Sequence, residues 1–226
     1  PLDVLLPENY YWRVGAYIDG AWKRFSSNKT FGLSAAPFDS EFNGSASGWA
    51  RKAGGTWIIG STALYTTGLD DAFTSAYRTT YPYLNFEYSA RMNRIGGEIG
   101  GSYPASYLVV RAGSNVQSTL PYVWYPSYIF GFMNSGKYAI LRVNMDNSLT
   151  TIQPFTDSSA IHKDDWNVLR VVANDSNFSF YINETLVKTF TDSTFSSGYV
   201  GFEIYKKSGG TPTEFWVDWA RLTLTD

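Results

Sequence analysis

Residues 121–128, Pro-Tyr-Val-Trp-Tyr-Pro-Ser-Tyr, form the segment of the sequence best suited to binding a ligand. Flat aromatic rings held between prolines can stack on sugar rings with little loss of conformational entropy. Packing within the protein is the alternative, because the chain contains 8 Trp, 17 Tyr and 15 Phe. The residues that we expect to form the ligand-binding surface are Tyr122, Trp124, Tyr125 and Tyr128, extended by Tyr103.

Arg111 is the polar partner that we expect beside these rings. It follows the apolar residues 108–110 and lies on the outward phase of a predicted strand. A guanidinium group at that place can donate hydrogen bonds to sugar hydroxyls. A cross-strand ion pair with Glu87 is the alternative role for Arg111.

The counts of cysteine and histidine exclude several kinds of active site. The chain has no cysteine and one histidine, His162. Disulfides, thiolate metal sites and cysteine nucleophiles are therefore excluded, and a His-based zinc site or a Ser-His-Asp triad is hard to assemble. His162 lies in the polar stretch 160–165, where we expect a solvated loop.

The charge balance argues against nucleic acid as a partner. The chain has 18 Lys+Arg and 20 Asp+Glu, which leave a net charge of -2. A non-specific nucleic-acid binder needs a basic face that releases counterions from the phosphates. We also expect no membrane span, because no apolar stretch approaches the ~18 residues that one requires.

Sequons and the first residue point to an extracellular or cell-surface glycoprotein. The chain starts at Pro1, so we expect that a leader or a larger precursor was removed. Chance alone supplies roughly half of the Asn-x-Ser/Thr sequons in so Ser- and Thr-rich a chain. The candidate glycosylation sites are Asn28, Asn43, Asn174, Asn177 and Asn183.

Strands, not helices, must position these residues. Apolar and polar residues alternate with a period of two, and no segment sustains the spacing of an amphipathic helix. In residues 84–92, Leu84, Phe86 and Tyr88 share one face with Ala90 and Met92, which is typical of a half-buried strand. Further strands are predicted at residues 107–111, 128–134, 138–144, 166–173, 178–183, 185–190, 199–205 and 215–224. So many short strands predict an all-β protein of two packed antiparallel sheets.

Several stretches together resemble one known family. In chain order they are Phe38-Asp39, Gly48-Trp49, Gly55-Thr56-Trp57, Phe86-Glu87-Tyr88 and residues 108–111, 166–171, 180–183, 195–202 and 215–219. This pattern resembles the concanavalin A-like, laminin G-like jelly-roll family. The resemblance implies one two-sheet antiparallel jelly-roll sandwich over residues 38–226, a fold shared by lectins, carbohydrate-binding modules, glycosidases and adhesion domains.

Residues 1–37 are predicted to form an N-terminal extension of this domain. Strands at 10–18 and 21–24 form a hairpin around Asp19-Gly20, and a short strand follows at 29–33. The segment resembles the last two strands of a fibronectin type III domain. Because a lone hairpin is marginally stable, we predict that Trp12, Val14, Ala16 and Ile18 pack on the jelly roll of the same chain or on a neighbouring subunit.

The resemblance also implies where catalytic carboxylates would lie. Retaining β-glucanases of this fold carry a Glu-x-Asp-x-x-Glu run on one inward strand, since the two carboxylates must lie about 5–5.5 Å apart. This sequence has no such run, and neither Glu87 nor Glu203 has a carboxylate partner at i+2 or i+4. We expect structural surface acids and no catalytic residue, with a pair assembled from distant strands as the alternative.

A structural calcium ion is a further possibility that the resemblance implies. Several families of this fold hold Ca²⁺ near the pairing of the first and last strands. That pairing would bring Asp39 and Glu41 close to Asp218, and all three supply the oxygen ligands that calcium prefers. Turn and capping roles are the alternative, and no cofactor is expected to be required.

We therefore expect a non-catalytic extracellular carbohydrate-binding or adhesion module whose partner is a polysaccharide or glycan. The alternative is a structural subunit of an extracellular filament or surface layer, assembled with identical subunits through the N-terminal segment. A glycoside-active enzyme is the third hypothesis. The residues that would carry assembly are Leu2, Val4, Leu5, Leu6, Trp12, Val14 and Ile18.

Overall fold

The computed structural model describes residues 9–27, 29–32, 35–79, 82–96, 105–209 and 214–225. Regular structure within these ranges is entirely β, which confirms the predicted fold class. None of the described segments forms a helix that is long and apolar enough to cross a membrane.

The strands follow one another closely along the chain. They are β1 (Asn9–Trp12), β2 (Gly15–Ile18), β3 (Ala21–Phe25), β4 (Lys29–Gly32), β5 (Phe38–Glu41), β6 (Trp49–Ala53), β7 (Ile58–Ile59), β8 (Leu64–Thr66), β9 (Ala72–Arg78), β10 (Phe86–Ile95), β11 (Ser106–Ala112), β12 (Asn115–Val116), β13 (Trp124–Tyr125), β14 (Ser127–Phe132), β15 (Lys137–Val143), β16 (Leu149–Asp157), β17 (Asn167–Asn174), β18 (Asn177–Ile182), β19 (Thr185–Thr191), β20 (Tyr199–Lys206) and β21 (Glu214–Leu224).

Two large antiparallel sheets form the sandwich. Sheet I has the strand order β19-β18-β17-β10-β21-β8-β7. β5 also pairs with β21, on the edge that faces β8 and beyond the residues that β8 contacts. Sheet II has the order β16-β15-β14-β11-β20-β9-β6. Neighbours in each sheet are mostly distant in sequence, as a jelly roll requires.

The main core lies between the two sheets and follows from the alternation in the sequence. On β10, Phe86, Tyr88 and Met92 are buried on the inner face of sheet I. Phe130 and Phe132 of β14 are buried on the inner face of sheet II. The predicted phase of β10 is therefore confirmed. Leu84 is exposed, because it precedes the first residue of β10.

Three strands of sheet II, β6, β9 and β16, were not predicted from the sequence. β9 is buried although it consists largely of small and polar residues, so it lacks the apolar alternation that identifies a strand. β16 contains Pro154, which is tolerated because β16 is the edge strand of the sheet and Pro removes no necessary ladder hydrogen bond.

The predicted pairing of the first and last strands of the jelly roll is present. β5 and β21 are antiparallel neighbours, with Asp39 opposite Arg221 and Glu41 opposite Trp219. The backbone N–H of Phe42 continues the ladder by donating to the carbonyl of Asp218 at 3.2 Å.

The N-terminal extension contains the predicted hairpin. β2 pairs with β3 around Asp19 and Gly20, both of which have positive φ (48° and 77°), as a two-residue hairpin turn requires. β1 pairs with β4. Within the described ranges, neither pair joins a strand of the sandwich.

The prediction that the hairpin packs on its own jelly roll is wrong for the side chains that the structure describes. Val14, Ala16 and Ile18 are exposed, because the hairpin continues from β1 and β4 without lying on either sheet. Packing on a neighbouring subunit stays a prediction. The Trp12 side chain and residues Leu2, Val4, Leu5 and Leu6 lie outside the described part of the structure.

Candidate functional site

The aromatic loop does not present its rings as predicted. Residues 113–126 fold over the outer face of sheet II, where the Phe73 N–H donates to the Pro121 carbonyl at 2.8 Å. Trp124 is fully buried there, and its indole N–H donates to the Gly113 carbonyl at 2.7 Å. Tyr128 is fully buried on the opposite, inner face, 4.9 Å from Phe178 between ring centroids.

Burial therefore excludes Trp124 and Tyr128 as stacking residues in this structure, and packing within the protein is the correct interpretation of both. Tyr122 and Tyr125 are half-buried on the same loop. Tyr103 lies outside the described residues.

Arg111 turns inward, so its predicted role beside the loop is wrong. It sits at an irregularity of β11 with φ of 47°, and this left-handed conformation reverses the direction of the side chain. Its guanidinium donates to the carbonyls of Phe195 at 2.9 Å and Leu84 at 3.0 Å. The alternative partner, Glu87, instead pairs with Arg170 at 3.1 Å.

Glu203 is a buried carboxyl group on the outer face of sheet II. It lies opposite Tyr107 and Ser75 on the neighbouring strands, and the Ser75 hydroxyl donates to its Oε2 at 2.8 Å. Burial raises the pKa of Glu203 to about 8, so the carboxyl is mostly protonated at neutral pH. The prediction of a surface acid at this position is wrong, because Glu203 lies in the interior.

Glu203 has no suitable second carboxylate among the strands of its sheet. The other acidic residue in those strands is Asp157, on β16 at the far edge. Four strand spacings separate β16 from β20, which amounts to about 19 Å. Glycosidases require their two carboxylates within roughly 5–9.5 Å, so this pair cannot serve. Glu87 lies on the other sheet, with its side chain paired to Arg170.

The three predicted calcium ligands do not converge. Asp39 and Glu41 both bind the guanidinium of Arg221, whereas Asp218 pairs with Arg91. Two arginines thus neutralise the carboxylates that the strand pairing brings near one another. Among the residues that the structure describes, no three His, Cys, Asp or Glu side chains are placed to hold a metal ion.

The asparagine of one of the five sequons, Asn183, uses its side-chain amide in structural hydrogen bonds. The Asn183 side chain accepts from the Val168 N–H at 2.8 Å and donates to the Ala160 carbonyl at 2.7 Å. Its amide nitrogen also donates to Asn167 at 2.8 Å, so the predicted glycosylation of Asn183 is incompatible with this fold. Asn43, Asn174 and Asn177 are exposed, and Asn28 lies outside the described residues.

The outer face of sheet I carries a set of half-exposed aromatic rings that sequence reasoning missed. The first lies on β18, where the Arg170 guanidinium is 3.8 Å from the Tyr181 ring centroid. The same guanidinium bridges Glu87 at 3.1 Å and Glu184 at 3.0 Å. Tyr181 is therefore held by a cation on its face, and the cation is held by two carboxylates.

Two tryptophans of this face are held in the same way. The Arg91 guanidinium lies 4.6 Å from the Trp166 ring centroid and pairs with Asp218. The Arg221 guanidinium lies 4.3 Å from the Trp219 ring centroid and forms ion pairs with Asp39 and Glu41.

A fourth aromatic group extends the face toward β8. Trp216 stacks on Tyr65 with 4.4 Å between ring centroids and 13° between planes. Its indole N–H donates to Glu214 at 3.0 Å. Strict alternation along β21 would place Trp216 and Trp219 on opposite faces, and the register shift at Asp218 brings them to the same face, so no local pattern in the sequence identified this surface.

Strand register joins these groups into one surface. Arg170, Ser89 and Arg221 pair across β17, β10 and β21, and Arg91 pairs with Trp219 in a neighbouring row. The surface, here called the aromatic–arginine face, consists of Tyr65, Trp166, Tyr181, Trp216, Trp219, Arg91, Arg170 and Arg221 with their carboxylates. It offers ring faces for stacking and planar polar groups for hydrogen bonds.

Comparison with known proteins gives the fold its context. No family model and no curated protein matches this sequence. A carbohydrate-binding module, CBM66 from Bacillus subtilis, is similar in structure with a TM-score of 0.56 and 17% identity, covering 76% of this chain and 94% of that one. A Bacillus licheniformis β-glucanase gives a TM-score of 0.63 and 11% identity, covering 85% and 100%.

The laminarinase catalytic domain from Thermotoga maritima gives a TM-score of 0.59 and 8% identity, covering 84% of this chain and 97% of that one. Identities this low establish the fold alone. The resemblance of residues 10–31 to fibronectin type III strands stays a prediction. The described strands thus form a two-sheet antiparallel jelly-roll sandwich, and the neighbours that share this fold include a carbohydrate-binding module and a β-glucanase.

Proposed function

We propose that this protein is a non-catalytic carbohydrate-binding module that binds a polysaccharide on the aromatic–arginine face. The observation that carries the proposal is the continuity of half-exposed rings and planar polar side chains across neighbouring strands of sheet I. Sugar rings present apolar faces and a rim of hydroxyls, and this surface has a complement for each.

The rings are held in place before any ligand arrives. Trp166, Tyr181 and Trp219 each contact an arginine that is itself ion-paired. A side chain fixed in this way loses little rotamer entropy on binding, which favours affinity. Tyr181 and Trp219 stand on strands, and Trp166 immediately precedes β17; strands position a site more accurately than loops do.

Charge selects the class of glycan. The aromatic–arginine face combines three arginines with six carboxylates, an excess of negative charge. Its carboxylates are Asp39, Glu41, Glu87, Glu184, Glu214 and Asp218. Anionic polysaccharides are repelled by such a surface, so we propose a neutral or amino-sugar polysaccharide as the ligand.

The non-catalytic role is supported by the isolation of Glu203. It is buried between Tyr107 and Ser75 on the neighbouring strands and has no second carboxylate within reach on the described strands of sheet II. Five of the six acids of the aromatic–arginine face pair with arginines, and the sixth, Glu214, accepts a hydrogen bond from the Trp216 indole. A glycoside-active enzyme is therefore the weaker alternative, and release of reducing sugars from a polysaccharide would support it.

Affinity electrophoresis in gels containing a neutral β-glucan, a fructan, chitosan or polygalacturonate tests the proposal. We expect retardation by at least one neutral or cationic polymer, and about a tenfold weaker affinity for Trp219→Ala and for Trp166→Ala. Tyr122→Ala, on the aromatic loop over sheet II, is the matched control and should bind as the unmodified protein does.

Three results would argue against this proposal in different ways. Loss of polysaccharide binding in Tyr122→Ala alone would show that the binding site is on the aromatic loop. Preference for polygalacturonate would contradict the charge argument and leave carbohydrate binding intact. Absence of binding to every polymer would overturn the proposed function.

We also propose an extracellular or cell-surface location. The support is chemical, since Asn43, Asn174 and Asn177 are exposed sequons that a glycosylating secretory route could modify. Glycopeptide mass spectrometry of native material checks this proposal, and unmodified asparagines at all three positions would remove its support.

A further inference from the structure

The hairpin of β2 and β3 leaves both of its faces open. Five large hydrophobic side chains between residues 14 and 25 are 44–63% exposed. Val14 and Ile18 lie on one face, and Tyr17, Trp22 and Phe25 lie on the other. Clustered apolar exposure of this kind marks an interaction surface more often than scattered exposure does.

The three aromatic rings form an ordered ladder. Tyr17 meets Trp22 edge-on at 5.3 Å, and Trp22 stacks on Phe25 at 5.7 Å between centroids. The Arg13 guanidinium lies 4.2 Å from the Phe25 ring centroid, at the end of the ladder away from Tyr17.

Glycine at position 15 is needed for this arrangement. A Cβ atom there would lie 2.6 Å from Cε1 of Phe25 and 2.9 Å from Cε3 of Trp22. Both rings would have to move, so the missing side chain is what lets them lie across the strand pair. The ladder, here defined as Arg13, Tyr17, Trp22 and Phe25, is thus built into the hairpin.

A two-stranded hairpin is marginally stable in water and gains stability when a face is covered. In the described part of the chain, no strand of the sandwich pairs with β2 or β3. Burying exposed rings on a partner is therefore favourable, because apolar area leaves water.

Charge indicates which partner covers the ladder. Residues 1–32 contain four cationic and three anionic residues, a net charge of +1, and the hairpin at residues 13–25 alone carries a net charge of +2. Residues 33–226 contain 14 cationic and 17 anionic residues, a net charge of -3. Two hairpins repel each other, whereas a hairpin and a jelly roll of another copy attract.

We propose that the ladder of one chain docks on the jelly roll of a second copy. The donor and acceptor surfaces differ, so the contact is heterologous, and repetition gives open head-to-tail assemblies. This inference is independent of glycan binding. It assigns assembly to the described residues Arg13, Tyr17, Trp22 and Phe25.

Sedimentation velocity on the full chain over a wide concentration range tests the inference. We expect mass to rise continuously with concentration and to fall when salt is added, because the attraction is partly electrostatic. Trp22→Ala combined with Phe25→Ala should require about tenfold more protein for the same mean mass. The control combines Met145→Ala with Leu186→Ala, two exposed side chains of the jelly roll, and should leave assembly unchanged.

A charge reversal separates docking from loss of hairpin structure. Arg13→Glu should weaken assembly at low salt, and the difference from the unmodified chain should shrink at high salt. A monomer at every concentration, a limiting dimer, or a double variant that assembles as the unmodified chain does would each overturn the inference.

Discussion

The buried carboxyl of Glu203 makes the stability of the protein depend on pH. Burial raises its pKa from 4.5 to about 8, so the folded chain retains a proton that the unfolded chain releases above pH 4.5. Stability is therefore lost as pH rises from 4.5 to about 8 and is unaffected by this group at lower pH.

Glu203→Gln removes that ionisation and keeps the shape of the side chain. We expect the melting temperature of this variant, relative to the unmodified protein, to increase steadily between pH 5 and pH 8. Thermal unfolding followed by circular dichroism at several pH values measures the difference. An offset that is constant over this range would show that Glu203 does not titrate with a raised pKa.

At Asn183, side-chain chemistry and glycosylation compete for the same amide. The side chain makes three hydrogen bonds that connect the β18–β19 turn to residues 160–168. A glycan on its Nδ2 would replace one of the two N–H groups that donate to Ala160 and Asn167, so one of these bonds would be lost. Glycopeptide mass spectrometry of folded protein from a glycosylating host should find this site empty. A glycan found there in folded protein would contradict the described packing.

At the scale of elements, the loop at 113–126 acts as a cover for sheet II. Its Trp124 fills the space above Gly201, and a Cβ atom at Gly201 would come 2.9 Å from the Trp124 ring. The rings and aliphatic side chains of Tyr107, Val109 and Ile129 lie in the same cluster. The loop therefore contributes to the core and does not form an open cleft.

Trp124→Ala distinguishes this role from ligand binding. Removal of a fully buried tryptophan should cost about 3–5 kcal/mol of unfolding free energy. Urea unfolding measures that loss, and affinity electrophoresis below the unfolding transition should show polysaccharide binding unchanged. Loss of binding with stability retained would instead favour the aromatic loop as the site.

At the scale of the whole molecule, the two proposals use different surfaces. The aromatic–arginine face is on sheet I, while the ladder is on the hairpin of β2 and β3. Trp219→Ala should therefore affect glycan binding, and Trp22→Ala with Phe25→Ala should affect assembly. Separate loss of the two properties is expected because the side chains belong to different sheets.

The sequence alone determined most of the longer strands, the buried phase of β10 and the hairpin at Asp19-Gly20. Alternation in residues 84–92 and left-handed turn residues act locally, so they can be read without knowing what lies nearby. β9 and β16 were not predicted, because small, polar or proline-containing strands lack that local pattern.

Only the tertiary structure decided which aromatic rings face solvent. Trp124 and Trp219 both lie in aromatic strand segments, but the segment that carries Trp124 folds onto sheet II and buries the ring, whereas the outer face of sheet I leaves Trp219 half-exposed. Arg111 turns inward at a bulge, and Asp39, Glu41 and Asp218 find arginines on other strands. Exposure and charge pairing depend on residues far apart in sequence, and therefore on the packed fold.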